Sequence, residues 1–320
     1  MTHARYEVER FGSPVAEPAI SVIVVTHKAG SELFDCLDSL REQDYLDYET
    51  LLVDNGDLER RRLLGYDTYY LALEKNHGPS YARNVGVDLA KGSIVAFLDD
   101  DAIADEHWLC RIVARFSDPH IEAVRGRILP KRRHGVYNLV AFHYDLGDKV
   151  IPWFLDVEGN SAVRKGAFIE ANGFDSALFG EEGADLSRRL DDDRGGRIVY
   201  DPSILAYHNY ADGLGHFLAK NYRHGRNEAS QRRNVEGLES YQARFHETRD
   251  ETHSTKGAGQ RTRTRVRRVL TRLSGDRDRP TRNRRKGMIT LALYGLALFS
   301  YQSGKLMSFL RNPLLRKQIS

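Results

Sequence analysis

The chain is poor in cysteine: Cys36 and Cys110 are the only two in 320 residues, far apart and both in stretches with helical spacing. Two such thiols exclude a disulfide framework and a thiolate metal site, and a reducing compartment is the expected setting. A leader is not expected either. The opening MTHARYEVER carries both charge signs around no apolar centre, so no secretory signal is expected. Long hydrophobic runs are scarce too, the longest uncharged apolar stretch being residues 288–301, MITLALYGLALFSY. As a helix it reaches about 21 Å at ~1.5 Å per residue, short of a hydrocarbon core of roughly 30 Å. No sign of charge dominates either, with 48 basic residues against 45 acidic. Bulk electrostatics therefore name no partner.

What is present is an alternation of apolar runs and helical stretches. Residues 20–25 (ISVIVV) are β-branched and continuous, as in a strand buried on both faces, and they stop at Thr26-His27-Lys28. A helix to about Arg41 follows, with Ser31 the expected N-cap and Leu33, Phe34, Leu37 and Leu40 at helical spacing. Residues 48–53 resume strand character and end at the turn Asp54-Asn55-Gly56, and residues 69–72 give a third short strand. Residues 76–90 (NHGPSYARNVGVDLA) read as a loop entering a helix, with a break and cap at Gly78-Pro79-Ser80. Gly86 within that helix costs on the order of 1 kcal/mol relative to Ala, which marks close packing or close ligand approach.

The next segment, GSIVAFLDDD, organises the rest. Residues 94–98 form a strand that ends in Asp99, Asp100 and Asp101. In an open α/β sheet ligands bind at that edge, and three adjacent carboxylates repel unless a cation or donor-rich partner neutralises them. A divalent metal bridging to a diphosphate fits that need; a solvated acidic turn is the plainer alternative. The strand–helix–strand rhythm implies parallel pairing with right-handed crossovers. Farther on, residues 107–116 form an amphipathic helix, 123–129 a strand and 131–148 an irregular stretch. Gly159-Asn160-Ser161 reads as a loop before a helix from about 166 to 171, and Asp201-Pro202 as a turn after a strand. His208 closes a further strand, and a helix covers 217–229.

The segments ISVIVVTHK, LLVDNG, NHGPSYARNVGV, GSIVAFLDDD, EGNSAVRKGAFIEANGFD and FGEEGADLSRRL, in this order, resemble the inverting nucleotide-sugar glycosyltransferases of family 2. The likeness runs from residue 20 to about 229. It implies the GT-A fold, an α/β nucleotide-binding domain with a mixed, mostly parallel sheet flanked by helices. It further implies donor contacts from Thr26, His27, Asp54, Gly78, Arg83, Asp99 and Asp100, and a Mn or Mg ion at Asp101, Asp99 and His208. Gly159, Asn160 and Asp185 would line the acceptor pocket. Family members carry Glu-Asp ahead of the helix, the second acid acting as base. Here Gly183 stands where the base would be, which leaves Glu182 or Glu181 for the role, with Asp185 read as a helix N-terminal acid. Tyr222, Arg223, Gly225 and Arg226 resemble the basic segment that closes over donor phosphates.

The last third changes character. Between residues 256 and 286 thirteen basic residues face only Asp276 and Asp278, and Val266, Val269, Leu270 and Leu273 give part of the run an apolar stripe. Such a basic amphipathic helix, followed by the apolar 288–310, suits a membrane surface. The expected organisation is an arm over 1–19, a GT-A domain over 20–230, a polar to basic linker and amphipathic helix over 231–286, and a membrane-associating helical segment over 287–320. The expected function is metal-dependent, inverting transfer of one sugar from a nucleotide-diphosphate donor to a hydroxyl of a lipid-linked or cell-surface glycan. Its expected place is the cytoplasmic face of a membrane, by peripheral or re-entrant attachment. No nucleic-acid partner is expected, because the basic run lacks interleaved aromatics. A sugar nucleotidyltransferase is the alternative enzyme, but it calls for a glycine-rich basic loop where this chain has THKAGS. A non-catalytic sugar-nucleotide-binding family member is the third reading, kept open by Gly183.

Overall fold

In the computed structural model, residues 6–27, 29–56, 58–131, 137, 141, 143–178, 180–194, 197–231, 237–251, 292–293, 295–303 and 306–307 are described. The chain forms two units, Met1–Lys131 with His143–His208, and Arg132–Phe142 with Asn209–Ser320. The first unit runs β1 (Tyr6–Phe11), β2 (Ile20–Thr26), α1 (Ser31–Arg41), β3 (Tyr48–Asp54), β4 (Thr68–Leu73), α2 (Pro79–Leu89), β5 (Ile94–Asp99) and a short β6 (Ile103–Ala104). It continues with α3 (Trp108–Arg115), β7 (Ile121–Leu129), β8 (Ile151–Pro152), β9 (Asn160–Arg164), α4 (Lys165–Glu170), α5 (Glu182–Arg194) and β10 (Arg197–Tyr207).

One mixed sheet carries all ten strands, in the order β1-β4-β3-β2-β5-β9-β7-β10-β6, with β8 on β10. β4, β3, β2 and β5 are mutually parallel, as their crossover helices require. β9 is antiparallel to both β5 and β7, while β10 runs parallel to β7. The continuous apolar run of β2 follows from burial on both faces. Ile20, Val22 and Val24 pack with Leu33, Cys36, Leu37 and Leu40 of α1 and with Trp108, Leu109 and Ile112 of α3. Ile23 faces the other way, into a core with Ala82 and Val85 of α2, Phe168 of α4 and Leu186 and Leu190 of α5. Each such aliphatic side chain contributes about 1.5–3 kcal/mol on burial. The register places Thr26 opposite Asp54 and Val25 opposite Asp99, so three strand ends meet at one edge.

Several sequence expectations need correction. Part of the N-terminal arm, left unassigned, is β1, an antiparallel edge strand on β4. Ser31 is the first helical residue and Gly30 the N-cap, with no side-chain cap bond. Gly78 takes the N-cap of α2 at φ +87°, with Pro79 next, and Ser80 makes no cap bond. Residues 160–161 are not loop but the start of β9, Asn160 in register with Leu98 of β5 and Ser161 with both Phe97 of β5 and Arg125 of β7. Asp201-Pro202 is no chain turn: β10 continues through it, with an irregular register against β7 between Asp201 and Leu205 that accommodates the proline. At Gly86 close packing is the answer, since a Cβ would lie 2.7 Å from Ile23 Cγ2.

In the second unit, α6 (Leu214–Gln231) and α7 (Leu238–Glu251) are followed by a helical stretch over 295–303. Ala211, Phe217 and Leu293 form a small core, and Ser300 Oγ donates to Leu218 O at 2.7 Å. A Cβ at Gly225 would meet Tyr301 O at 1.9 Å, so the glycine lets two backbones approach. Leu296, Leu298, Phe299 and Leu306 are exposed. Among the described residues no helix is long and apolar enough to cross a membrane. The basic run over 256–286, and the amphipathic helix expected in it, lie outside the described residues.

Candidate active site

The site is built at the carboxyl edge of β2, β3 and β5. Asp99 is the last residue of β5, and its Oδ1 accepts from Arg83 Nη2 of α2 at 3.0 Å. Arg83 is only 8 % exposed. Burial opposes its charge, but Asp99, Glu158 and Glu182 more than offset this and raise its pKa. Asp100 is pushed up to about 6, first by burial, against the Thr26 hydroxyl, and further by the charges of Asp101 and Asp99. Asp101 points elsewhere: its Oδ2 lies 3.1 Å from Nε2 of His208, a buried residue just past β10. The His208 backbone N–H donates to Leu129 O at 2.8 Å, which fixes the ring at the sheet edge.

This pair offers a carboxylate oxygen and an imidazole nitrogen at one point beside surplus negative charge. That donor set fits Mn²⁺ and, less closely, Mg²⁺. Among the described residues no group of three or more Asp, Glu, His or Cys is arranged to hold a metal. A bound ion would thus complete its shell with water or phosphate oxygens. Asp99, grouped with the metal from sequence, is instead held by Arg83.

Other expected donor residues divide into exposed and committed. His27 is exposed, its Nδ1 2.9 Å from Asn55 O. Asp54 is 2 % exposed. Its oxygens accept from Gly56 N at 2.8 Å, Leu58 N at 2.8 Å and Tyr70 Oη at 2.6 Å. Those bonds shape the β3 turn, so Asp54 frames the pocket rather than offering a free carboxylate. Asn55, not selected from sequence, joins this turn to the start of α2. Its side chain donates to Asn76 Oδ1 and Gly78 O, and accepts from His77 N at 2.9 Å.

On the acceptor side, Gly159 lies against the strand end. A Cβ there would sit 2.0 Å from Asp99 Cγ, so only glycine admits the carboxylate. Asn160 requires correction as a pocket residue. It is fully buried, accepts from Trp108 Nε1 at 2.8 Å and donates to Arg127 O at 2.8 Å. Asp185 sits in the first turn of α5, but its Oδ2 takes Nε and Nη2 of Arg189 at 3.0 and 2.8 Å. Arg189 also donates to Gly173 O, so Asp185 holds the preceding loop. Glu182 is 3 % exposed, accepting from Ser80 Oγ at 3.1 Å and from Gly180 N, with Arg83 Nη1 4.0 Å away. Glu181, half-buried, precedes the helix.

The residue that sequence reading missed is Glu158. Partly exposed, it accepts from Gly183 N at 2.9 Å. Burial of its carboxyl, then the charge of Glu182, pushes it up to about 8, against the pull of Arg83. Its signal was Gly183, a glycine in a first helical turn that is not among those with positive φ.

Comparison with known proteins agrees with this architecture. Residues 21–163 match the family described as Glycosyl transferase family 2. Glycosyltransferase AglE of Haloferax volcanii is 32% identical over 120 residues, 35% of this chain and 40% of that protein. The glucosyl-dolichyl phosphate glucuronosyltransferase of the same organism is 25% identical over 221 residues, 63% of this chain and 66% of that protein. The chain thus spans less than half of AglE and just under two thirds of the second relative. Among solved structures, mannosyltransferase PcManGT from Pyrobaculum calidifontis, in complex with GDP-Man and Mn²⁺, aligns with TM-score 0.56 at 17% identity, covering 90% of this chain and 89% of that one. The aspartate-ended β5 and the crossover helices form a GT-A frame, and residues 21–163 of it match the glycosyltransferase family 2 model.

Proposed function

We propose that the protein transfers one sugar from a nucleotide-diphosphate donor to an acceptor hydroxyl, with inversion, using a divalent cation held by Asp101 and His208. The observation that carries this reading is the 3.1 Å Asp101–His208 pair at the end of β5, beside an Asp99 already held by Arg83. When bound, the cation supplies Lewis-acid stabilisation of the diphosphate leaving group. Asp101 and His208 would hold it, and Asp100 would add negative charge near it. Arg83 keeps Asp99 oriented, and the Asn55 clip and the Asp54 turn shape the rim where the base and ribose would lie. An inverting transfer also needs a group on the opposite face to take the acceptor proton.

The acceptor side is proposed to be lipid-linked, at a membrane surface. Exposed Leu296, Leu298 and Phe299 in the second unit support this, as does the basic run over 256–286. So does the acceptor named for one relative, a glucosyl-dolichyl phosphate. The test is nucleotide release from a panel of UDP-, GDP- and dTDP-sugars with Mn²⁺, Mg²⁺ or chelator, adding polyprenyl-phosphate-linked acceptors in anionic vesicles. Metal-dependent release, increased by the lipid acceptor and absent in Asp101→Ala, is the expected result. Chelator-resistant release would end the metal assignment.

A further inference from the structure

We infer that Glu158, rather than either glutamate at the start of α5, is the base that takes the acceptor proton, occupying the space that Gly183 leaves at the helix N-terminus. The inference rests on the glycosyl-transfer reading above. Its starting point is a glycine without a conformational reason. A Cβ at position 183 would stand 2.3 Å from Leu155 O and 2.4 Å from Glu158 Oε1. The glycine is there because the Leu155 carbonyl and a carboxylate from the same loop fill the place. That carboxylate receives the Gly183 N–H at 2.9 Å, at the positive end of the thirteen-residue α5.

Two neighbouring acids, Glu182 and Asp185, are otherwise engaged. Glu182 is 3 % exposed, with one oxygen on Ser80 and the other on Gly180 N. Asp185 is held in the Arg189 fork. As a residue Glu158 is less enclosed than Glu182, although its carboxyl group itself is buried. The chain also ties it to the donor end: Asp99 N donates to Gly159 O at 3.2 Å, one residue along. Glu158 therefore joins two parts of the site, the end of β5 and the start of α5.

In the step assigned to it, an acceptor hydroxyl oxygen forms a bond to the anomeric carbon while its proton passes to a Glu158 oxygen. The bond from that carbon to the diphosphate oxygen breaks, and its electron pair leaves with the nucleotide. Atoms and charge balance without any other reactant.

The experiment compares Glu158→Gln, Glu181→Gln, Glu182→Gln and the wild type in Mn²⁺-dependent nucleotide release, with binding of UDP and GDP plus Mn²⁺ measured calorimetrically. Glutamine keeps an oxygen for the Gly183 N–H but accepts no proton. Glu158→Gln is expected to lose on the order of 100-fold or more in turnover with nucleotide affinity unchanged, and Glu158→Ala is expected to regain turnover with added formate. Turnover retained in Glu158→Gln overturns the assignment, as does a loss matched by lost nucleotide binding, which would mark a structural role. A wild type that binds nucleotide yet releases none from any donor would overturn the transfer reading and the base assignment together.

Discussion

Two groups of carboxylates lie on either side of Arg83, and they are stabilised in opposite ways. At the end of β5, Asp99 has the Arg83 guanidinium and Asp101 the His208 ring, while Asp100 is crowded by the charges of both its neighbours. At the start of α5, Glu182 and Glu158 are supplied with protein N–H and O–H donors from Ser80, Gly180 and Gly183. The first group would be completed by the cation proposed above; the second draws its donors from the protein and differs internally in exposure. The lesson is that acids of one type, within one site, acquire separate tasks from what the backbone gives them.

Removing the shared cation breaks this comparison most severely. Arg83→Met leaves Asp99 and Glu182 without their buried positive partner, and denaturant unfolding should show a loss of about 3–5 kcal/mol. A loss under ~1 kcal/mol would mean the two groups are independent of it. Next comes Asp101→Ala, which should cut metal-dependent nucleotide release by on the order of 100- to 1000-fold while leaving the unfolding midpoint close to that of the wild type. Gly183→Ala is expected to be milder. Its methyl must displace Glu158 Oε1 or Leu155 O, costing about 1–3 kcal/mol and lowering turnover, with nucleotide binding kept. The smallest effect is a pH slope. Glu158, raised to about 8, binds a proton in the folded protein that an ordinary glutamate has released. Stability should therefore fall as pH rises between the usual glutamate range and 8, and Glu158→Gln should flatten that slope in denaturation curves taken across the window.

The first half of the fold was legible because its signals are local and strong. ISVIVV could only be buried on both faces, and the aspartates at the end of GSIVAFLDDD fell where a parallel sheet puts its ligand edge. Asp101 and His208 were both named from sequence, and the structure brings them together across 107 residues. The second half was less legible. NSAVR is short, and its asparagine after Gly159 suggests a loop, while its strand character comes from two neighbouring strands that sequence cannot see. Asn160 therefore passed for a pocket residue when its amide ties Trp108 to Arg127 O. Glu158 was hidden because the fact that reveals it, the occupied space beside Gly183, exists only in three dimensions.

The bond from Trp108 to Asn160 has a consequence for following the molecule optically. The chain has two tryptophans, Trp108 and Trp153, both buried in the first unit. Indole emission therefore comes from within the unit that holds the sheet and its site. A red shift on heating or in denaturant dates the opening of the catalytic frame, while circular dichroism continues to register helices elsewhere. Trp108 is also the more informative of the two lamps. Its indole N–H is anchored to the residue that follows Gly159, so a ligand that shifts the end of β5 alters the surroundings of a chromophore already in place.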